Sequence, residues 1–249
     1  MKLSRFFVLL TALAFAALVP FGISLAFAGD TASLDVLGYS PDGKVFAFEE
    51  YGVLDGSGAA YSTIYFIDTQ EDKFLPGTPI RAKEKDEGGD SIAKIRAQTH
   101  DKAEALINQY KLVDDPGVMV AYNPISEASS DPFKVRYYEY ISSPPRSQTD
   151  TLELKLKEFP PSTDCLNMTG NYTGFTLTLT EYQGASTNVV VHEDKQVPKS
   201  RGCPNGYRIG AVITSENRGP QIAMILVDTF GFEGNDQRWL AVPVNPDGK

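Results

Sequence analysis

Basic charge, histidine, cysteine and tryptophan are all scarce in this chain, and each scarcity removes a class of function. Among 249 residues, 23 Lys and Arg face 32 Asp and Glu, a net charge of −9. A surface of that sign repels phosphate backbones and anionic lipid, which argues against a nucleic-acid partner. There are only two histidines, His100 and His192. No Gly-x-Ser-x-Gly elbow frames a serine for either of them to activate. With no His-x-x-x-His pair, the chain lacks the usual frame of a zinc site. The sequence therefore assigns no catalytic residue, no cofactor and no metal, and it leans away from an enzyme.

What is present begins at the first residues. Lys2 and Arg5 precede an apolar run over 6–19, and Ala26-Phe27-Ala28 supplies the small side chains of a cleavage site. This order predicts a secretory signal over 1–28, with Pro20 and Gly22 breaking the helix that an uncleaved anchor would need. Cleavage leaves 249 − 28 = 221 residues with a charge of 21 − 32 = −11 and no membrane span. The mature chain, 29–249, is then one domain in the periplasm or outside the cell. In such compartments an isolated cysteine pair is a disulfide, so Cys165 and Cys203 are expected to bond. Closing that loop stabilises by about 4 kcal/mol on the chain-entropy model.

The periodicity is that of strands nearly throughout. Segments 34–38, 44–51 and 63–68 read as strands, the first two joined by Ser40-Pro41-Asp42-Gly43, whose proline and glycine suit the corners of a tight turn. The glycine- and serine-rich stretch 52–61 reads as a flexible crossing or a site, and 81–90 as a charged loop. Ile92, Ile95, Thr99, Ala103, Leu106, Ile107 and Tyr110 recur at helical spacing, which predicts one amphipathic helix near 91–112, stopped by Asp114-Asp115-Pro116-Gly117. Further strands follow at 118–122, 134–141, 151–157, 175–180, 188–193, 207–214, 222–230 and 238–244. Residues 222–227 are apolar at every position, as in a strand covered on both faces, and Pro243 marks the last strand as an edge. The fold class is mainly β: antiparallel blade-like or sandwich sheets, with an incomplete propeller as the favoured variant.

Two polar turns combine oxygen ligands with glycine, Asp55-Gly56-Ser57-Gly58 and Glu233-Gly234-Asn235-Asp236. Neither has the ligand spacing of a helical calcium hand, and such turns are usually only turns. Arg238-Trp239 follows the second, its tryptophan read as a buried anchor for the final strand. Asp55, Glu233, Asp236, Arg238 and Trp239 form the candidate binding surface. Asn167 and Asn171 fit the glycosylation acceptor pattern, an exposed turn beside Cys165. His100 reads as an ordinary helix residue and His192 as a strand end among acids.

Residues 39–48, Tyr-Ser-Pro-Asp-Gly-Lys-Val-Phe-Ala-Phe, with Ile64-Tyr65-Phe66-Ile67-Asp68, resemble one blade of a TolB-type β-propeller. A broader likeness covers nearly the whole mature chain. The block Gly38 to Gly43, Phe46-Ala47-Phe48-Glu49, Ser200-Arg201-Gly202-Cys203-Pro204 and Gly231-Phe232-Glu233-Gly234 with Asp236 and Arg238 are similar to a family of secreted bacterial proteins of unknown function. That resemblance implies export and a shared fold, and it transfers no activity. The leading expectation is a noncatalytic module that binds an envelope component or small ligand. The alternatives are a carboxylate-dependent hydrolase of envelope sugar or peptide and a calcium-stabilised structural protein.

Overall fold

A computed structural model describes residues 29–85, 89–165, 171–217, 219–231 and 234–247. The signal segment, the Asn167 acceptor and Glu233 lie outside the described residues. Three antiparallel sheets carry the fold. The first runs β1 (Ser33–Tyr39), β2 (Val45–Val53), β3 (Ala60–Asp68) and β4 (Lys73–Phe74), with β5 (Ile80–Lys83) also on β3. Helix α1 (Ile92–Tyr110) follows, and then β6 (Val118–Tyr122). The second sheet is ordered β10-β9-β8-β7, from β7 (Lys134–Tyr138), β8 (Thr149–Glu158), β9 (Thr173–Tyr182) and β10 (Ala185–Glu193). The third is ordered β13-β12-β11-β6, from β11 (Pro204–Thr214), β12 (Gln221–Phe230) and β13 (Asn235–Val244) with the earlier β6. No sheet closes into a barrel among the described residues.

Side-chain alternation stacks these sheets. On β2, Phe46 and Phe48 face the third sheet, while Val45 and Ala47 face α1. On β12, Ile222, Met224 and Leu226 join the core against the first sheet, and Ala223, Ile225 and Val227 join the core against the second. The third sheet is thus the middle layer, which is why 222–227 carries no polar side chain. The order of layers is α1, first sheet, third sheet, second sheet. On β11 the inward parity changes at a bulge: Tyr207 and Ile209 face one core, Ala211 and Ile213 the other, with the register shift between Ile209 and Ala211. Gly210 stands at that shift because the Trp239 ring lies against it. A β-carbon there would sit 2.5 Å from the ring.

The helix starts where Ser91 Oγ accepts the Lys94 amide at 3.2 Å. It ends at Tyr110, before the expected Asp-Asp-Pro-Gly stop, because Lys111 turns left-handed (φ 50°) and a 3-10 turn, Leu112–Asp114, takes over. Asp115 then serves the fold: its carbonyl accepts the Tyr39 amide at 2.8 Å and its carboxylate accepts Ser215 Oγ at 2.6 Å. The 52–61 stretch is shorter as a loop than expected, since β2 and β3 pair as far as Val53 and Ala60. The charged stretch after residue 70 holds two short edge strands, β4 and β5, whose exposed polar positions hid them from an apolar pattern. Cys165 and Cys203 form the disulfide, with Cα atoms 5.7 Å apart.

Candidate functional site

Arg238, Trp239 and Asp236 gather around the start of the described chain. Asp236 Oδ1 accepts the Asp30 amide at 3.1 Å, and Arg238 donates to Asp30 Oδ2 at 2.6 Å while lying 4.8 Å above the Tyr61 ring. Trp239 is 7% exposed; its ring nitrogen donates to the Ala32 carbonyl at 2.8 Å and its amide to Glu50 Oε2 at 2.9 Å. These side chains lace residues 30–32 onto β13. Asp55 lies in the turn between β2 and β3, and Glu233 is outside the described residues.

His100 is also engaged by the fold. Its Nε2 meets Glu49 Oε2 at 3.0 Å, and the same buried carboxylate accepts Arg96 through Nε and Nη2 (2.7–3.1 Å) and Ser62 Oγ at 2.7 Å. Burial pushes the Glu49 carboxyl up, yet the bonds from Arg96, His100 and Ser62 together hold it below its ordinary value. This cluster pins α1 to β2.

A different place brings all three sheets together. β4, β10 and β13 are edges of their own sheets and lie on one flank of the stack. Along β13 two clefts follow one another, of about 310 Å³ beside Leu240, Ala241 and Val242 and about 460 Å³ beside Val244, Asn245 and Pro246. Neighbouring strand residues point to opposite faces, so a cleft lined by three in succession runs along the strand's edge. The first sheet supplies the same order on one wall: Asp72, Lys73 and Phe74 at the first cleft, Thr69 and Gln70 at the second. The second sheet supplies His192 and Asp194, then Tyr182 and Glu139. Each of the two clefts falls within the size range of small-ligand sites.

The first cleft is bridged by a charged latch. His192 Nδ1 stands 3.5 Å from Asp72 Oδ2 and Nε2 3.0 Å from Asp194 Oδ1. Asp72 belongs to the first sheet's β3–β4 turn and His192 to the second sheet, so the pair reaches over the edge of the middle sheet. Arg201, two residues before Cys203, donates to Asp194 Oδ2 at 2.7 Å, which also accepts the Phe175 amide at 2.9 Å. The imidazole stacks on Phe175 with centroids 4.6 Å apart. Burial alone would depress His192, but its bonds to Asp194 and Asp72 outweigh this and hold it above its ordinary value. For Asp194 burial works upward, and the His192 bond, the Arg201 charge and the Phe175 amide bring it below the usual carboxylate range.

The second cleft is polar and firmly braced. Gln221 receives the Tyr137 hydroxyl and donates to the buried Asp150 at 2.6 Å. Half-burial and the Asp150 charge push the Glu139 carboxyl above its ordinary value, so it can donate as well as accept at higher pH than a free carboxyl. Lys44 and Asp42 face one another at 4.0 Å on the facing turn. Among the described residues no group of three or more His, Cys, Asp or Glu side chains is placed to hold a metal ion, and no helix is long and apolar enough to cross a membrane. A third cleft, of about 680 Å³, lies between β1 and β6 and reaches Trp239, with Tyr122 exposed at its rim.

Sequence reasoning missed both clefts because their walls come from residues far apart in the chain. The only local trace is His192-Glu193-Asp194, a histidine two positions from the acid that bonds it. A family model described as Predicted secreted protein (DUF2259) matches residues 47–245. No curated protein and no solved structure matches the chain.

Proposed function

The chain belongs to the DUF2259 family of predicted secreted proteins, and on that premise we propose that it is a noncatalytic binding module of the periplasm or cell exterior whose ligand lies in the polar cleft at the end of β13. The observation that supports this reading is the convergence of three sheet edges on one flank, where a cleft of about 460 Å³ with braced polar walls opens beside the end of β13. A rigid cleft whose polar groups are already oriented loses little freedom on binding. The chemistry favours holding over transforming: both nitrogens of His192 are taken up by carboxylates, and Asp194 is neutralised by Arg201. A general base needs a free acceptor within reach of its substrate.

The test uses the exported, oxidised protein and isolated envelope material from its host. Gln70, exposed at the mouth of the polar cleft, is changed to tryptophan to fill it. Co-sedimentation with the envelope should be lost in Gln70→Trp and kept in Tyr122→Ala, in a separate cleft. Retention in the first and loss in the second would place the binding surface elsewhere and end this reading.

A further inference from the structure

The charges around the polar cleft point to the kind of group it holds, an inference that rests on the binding reading above. Glu139, just past β7, is fixed on one wall through its backbone, whose carbonyl accepts Thr214 Oγ1 at 3.2 Å. Its half-buried carboxyl lines the cleft, and no Lys, Arg or His among the described residues pairs with it. A second carboxylate, Asp150, stands behind the same wall, 1% exposed. Its oxygens accept the Gln183 amide at 2.7 Å and the Gln221 side chain at 2.6 Å. Both partners are neutral dipoles, which hold the Asp150 charge in place without cancelling it. The neighbouring phenols answer to the same field: Tyr140 is held above its ordinary value chiefly by the Glu139 charge, and Tyr182 by burial and then by Glu139 and Asp150.

Lys44 is the one basic residue that lines this cleft among the described residues, and it already faces Asp42 at 4.0 Å on the far turn. With that pair matched to itself, the wall of Glu139 and Asp150 is left negative. An anionic ligand is repelled there, and a neutral one dries the Glu139 carboxylate without compensating it. A cation gains both the charge and a charge-assisted hydrogen bond in a place less screened than open water. A metal ion needs several such ligands, and no group of three or more is placed to supply them among the described residues. An organic ammonium needs one carboxylate and can direct its other hydrogens to neutral oxygens, which Gln70, Asn245 and the Tyr182 hydroxyl offer. At about 460 Å³ the cleft has room for a small molecule or one long side chain.

We propose that the polar cleft binds an organic ammonium group, with Glu139 as its counter-ion. The probes are spermidine, for a free polyamine, and acetyl-lysine methylamide, for a protein side chain, with succinate as the anionic rival. Calorimetric titration of the exported, oxidised protein should show one or both ammonium probes binding and succinate not. Glu139→Gln keeps the shape and removes the charge, and it should weaken binding by about tenfold or more. Nonspecific attraction to an acidic surface would survive the loss of one charge. Lys44→Gln should leave ammonium binding unchanged or stronger, where an anion site would lose its ligand. Lowering the pH from about 7.5 to about 5 should weaken binding in the wild type, because burial and the Asp150 charge push the Glu139 carboxyl up and a protonated acid cannot pair with ammonium. The other groups facing Glu139 are Asp150, Asp247 and the raised phenols of Tyr137, Tyr140 and Tyr182, which stay uncharged over that span. In Glu139→Gln the pH effect should vanish. If neither ammonium probe binds, or Glu139→Gln binds them as the wild type does, the assignment is wrong. The binding reading then still stands if Gln70→Trp abolishes envelope association, and falls as well if that variant associates as before.

Discussion

Replacing His192 by glutamine removes a cation that joins two sheets across the edge of a third, and its cost should depend on pH. The imidazole and its partners are well shielded, with side chains 14% exposed for His192, 15% for Asp72 and 3% for Asp194. A hydrogen bond to a charged partner contributes about 1.5–3 kcal/mol; with Nδ1 at the long end of the range, the latch as a whole should contribute about 2 kcal/mol. His192 is held above its ordinary value in the folded state. The stability tied to its charge is therefore complete below the unfolded value near 6.5 and is withdrawn as pH rises through the folded one. Asp194 is held below its ordinary value, so its contribution is present above about pH 4 and fades only as pH falls through its folded value. Both are in force between about pH 4 and 6.5. Urea unfolding of the oxidised wild type and His192→Gln, at about pH 5.5 and about pH 8.5, measures the difference directly. The gap should be near 2 kcal/mol at the lower pH, a midpoint change of about 4–8 °C in a thermal scan, and clearly smaller at the higher. A gap that is equal at both pH values, or larger at the alkaline one, would refute the latch as a charged bridge.

Two further outcomes follow from the packing. Gly210→Ala forces a methyl to within 2.5 Å of the Trp239 ring, and overpacking of this kind costs about 1–3 kcal/mol. A melting curve and the emission of this sole tryptophan should both change, and an unaltered pair of readings would contradict the bulge account. Removing the disulfide with Cys165→Ser and Cys203→Ser opens a loop of 38 residues and should cost about 4 kcal/mol, read from urea midpoints. Because Arg201 is held two residues from Cys203 and bonds Asp194, the same variant should also loosen the His192 latch, and an unchanged pH dependence of stability would separate the bridge from the first cleft.

Much of the fold was legible in the chain because its signals are local. The all-apolar run of β12 announced a strand covered on both faces, and the helix at 92–110 showed in the spacing of Ile95, Thr99 and Ala103, its three fully buried positions. The Arg238-Trp239 pair read as an anchor, and Trp239 is buried against Ala32 and Glu50. The strands β4 and β5 escaped because an edge strand pairs on one side and keeps charged side chains in water, leaving no periodic apolar trace. Nothing local marks Glu49 and Glu50 as buried; strand alternation sends one under α1 to Arg96 and the other between sheets to Tyr65 and Trp239.

Local chemistry, then, determined the elements: which stretches alternate, which repeat at helical spacing, where the chain turns at Asp42-Gly43, and that two lone cysteines in an exported chain bond to each other. The two clefts belonged to the tertiary structure alone. Asp72, Glu139, Tyr182, His192 and Val244 have no common local pattern. The first and fourth meet in one cleft and the other three in the next only because the third sheet is built from strands late in the chain with the earlier β6, and is inserted between the other two so that β4, β10 and β13 become edges on the same flank. The identity of an edge is a property of how sheets stack, and no residue carries it until its neighbours have been chosen.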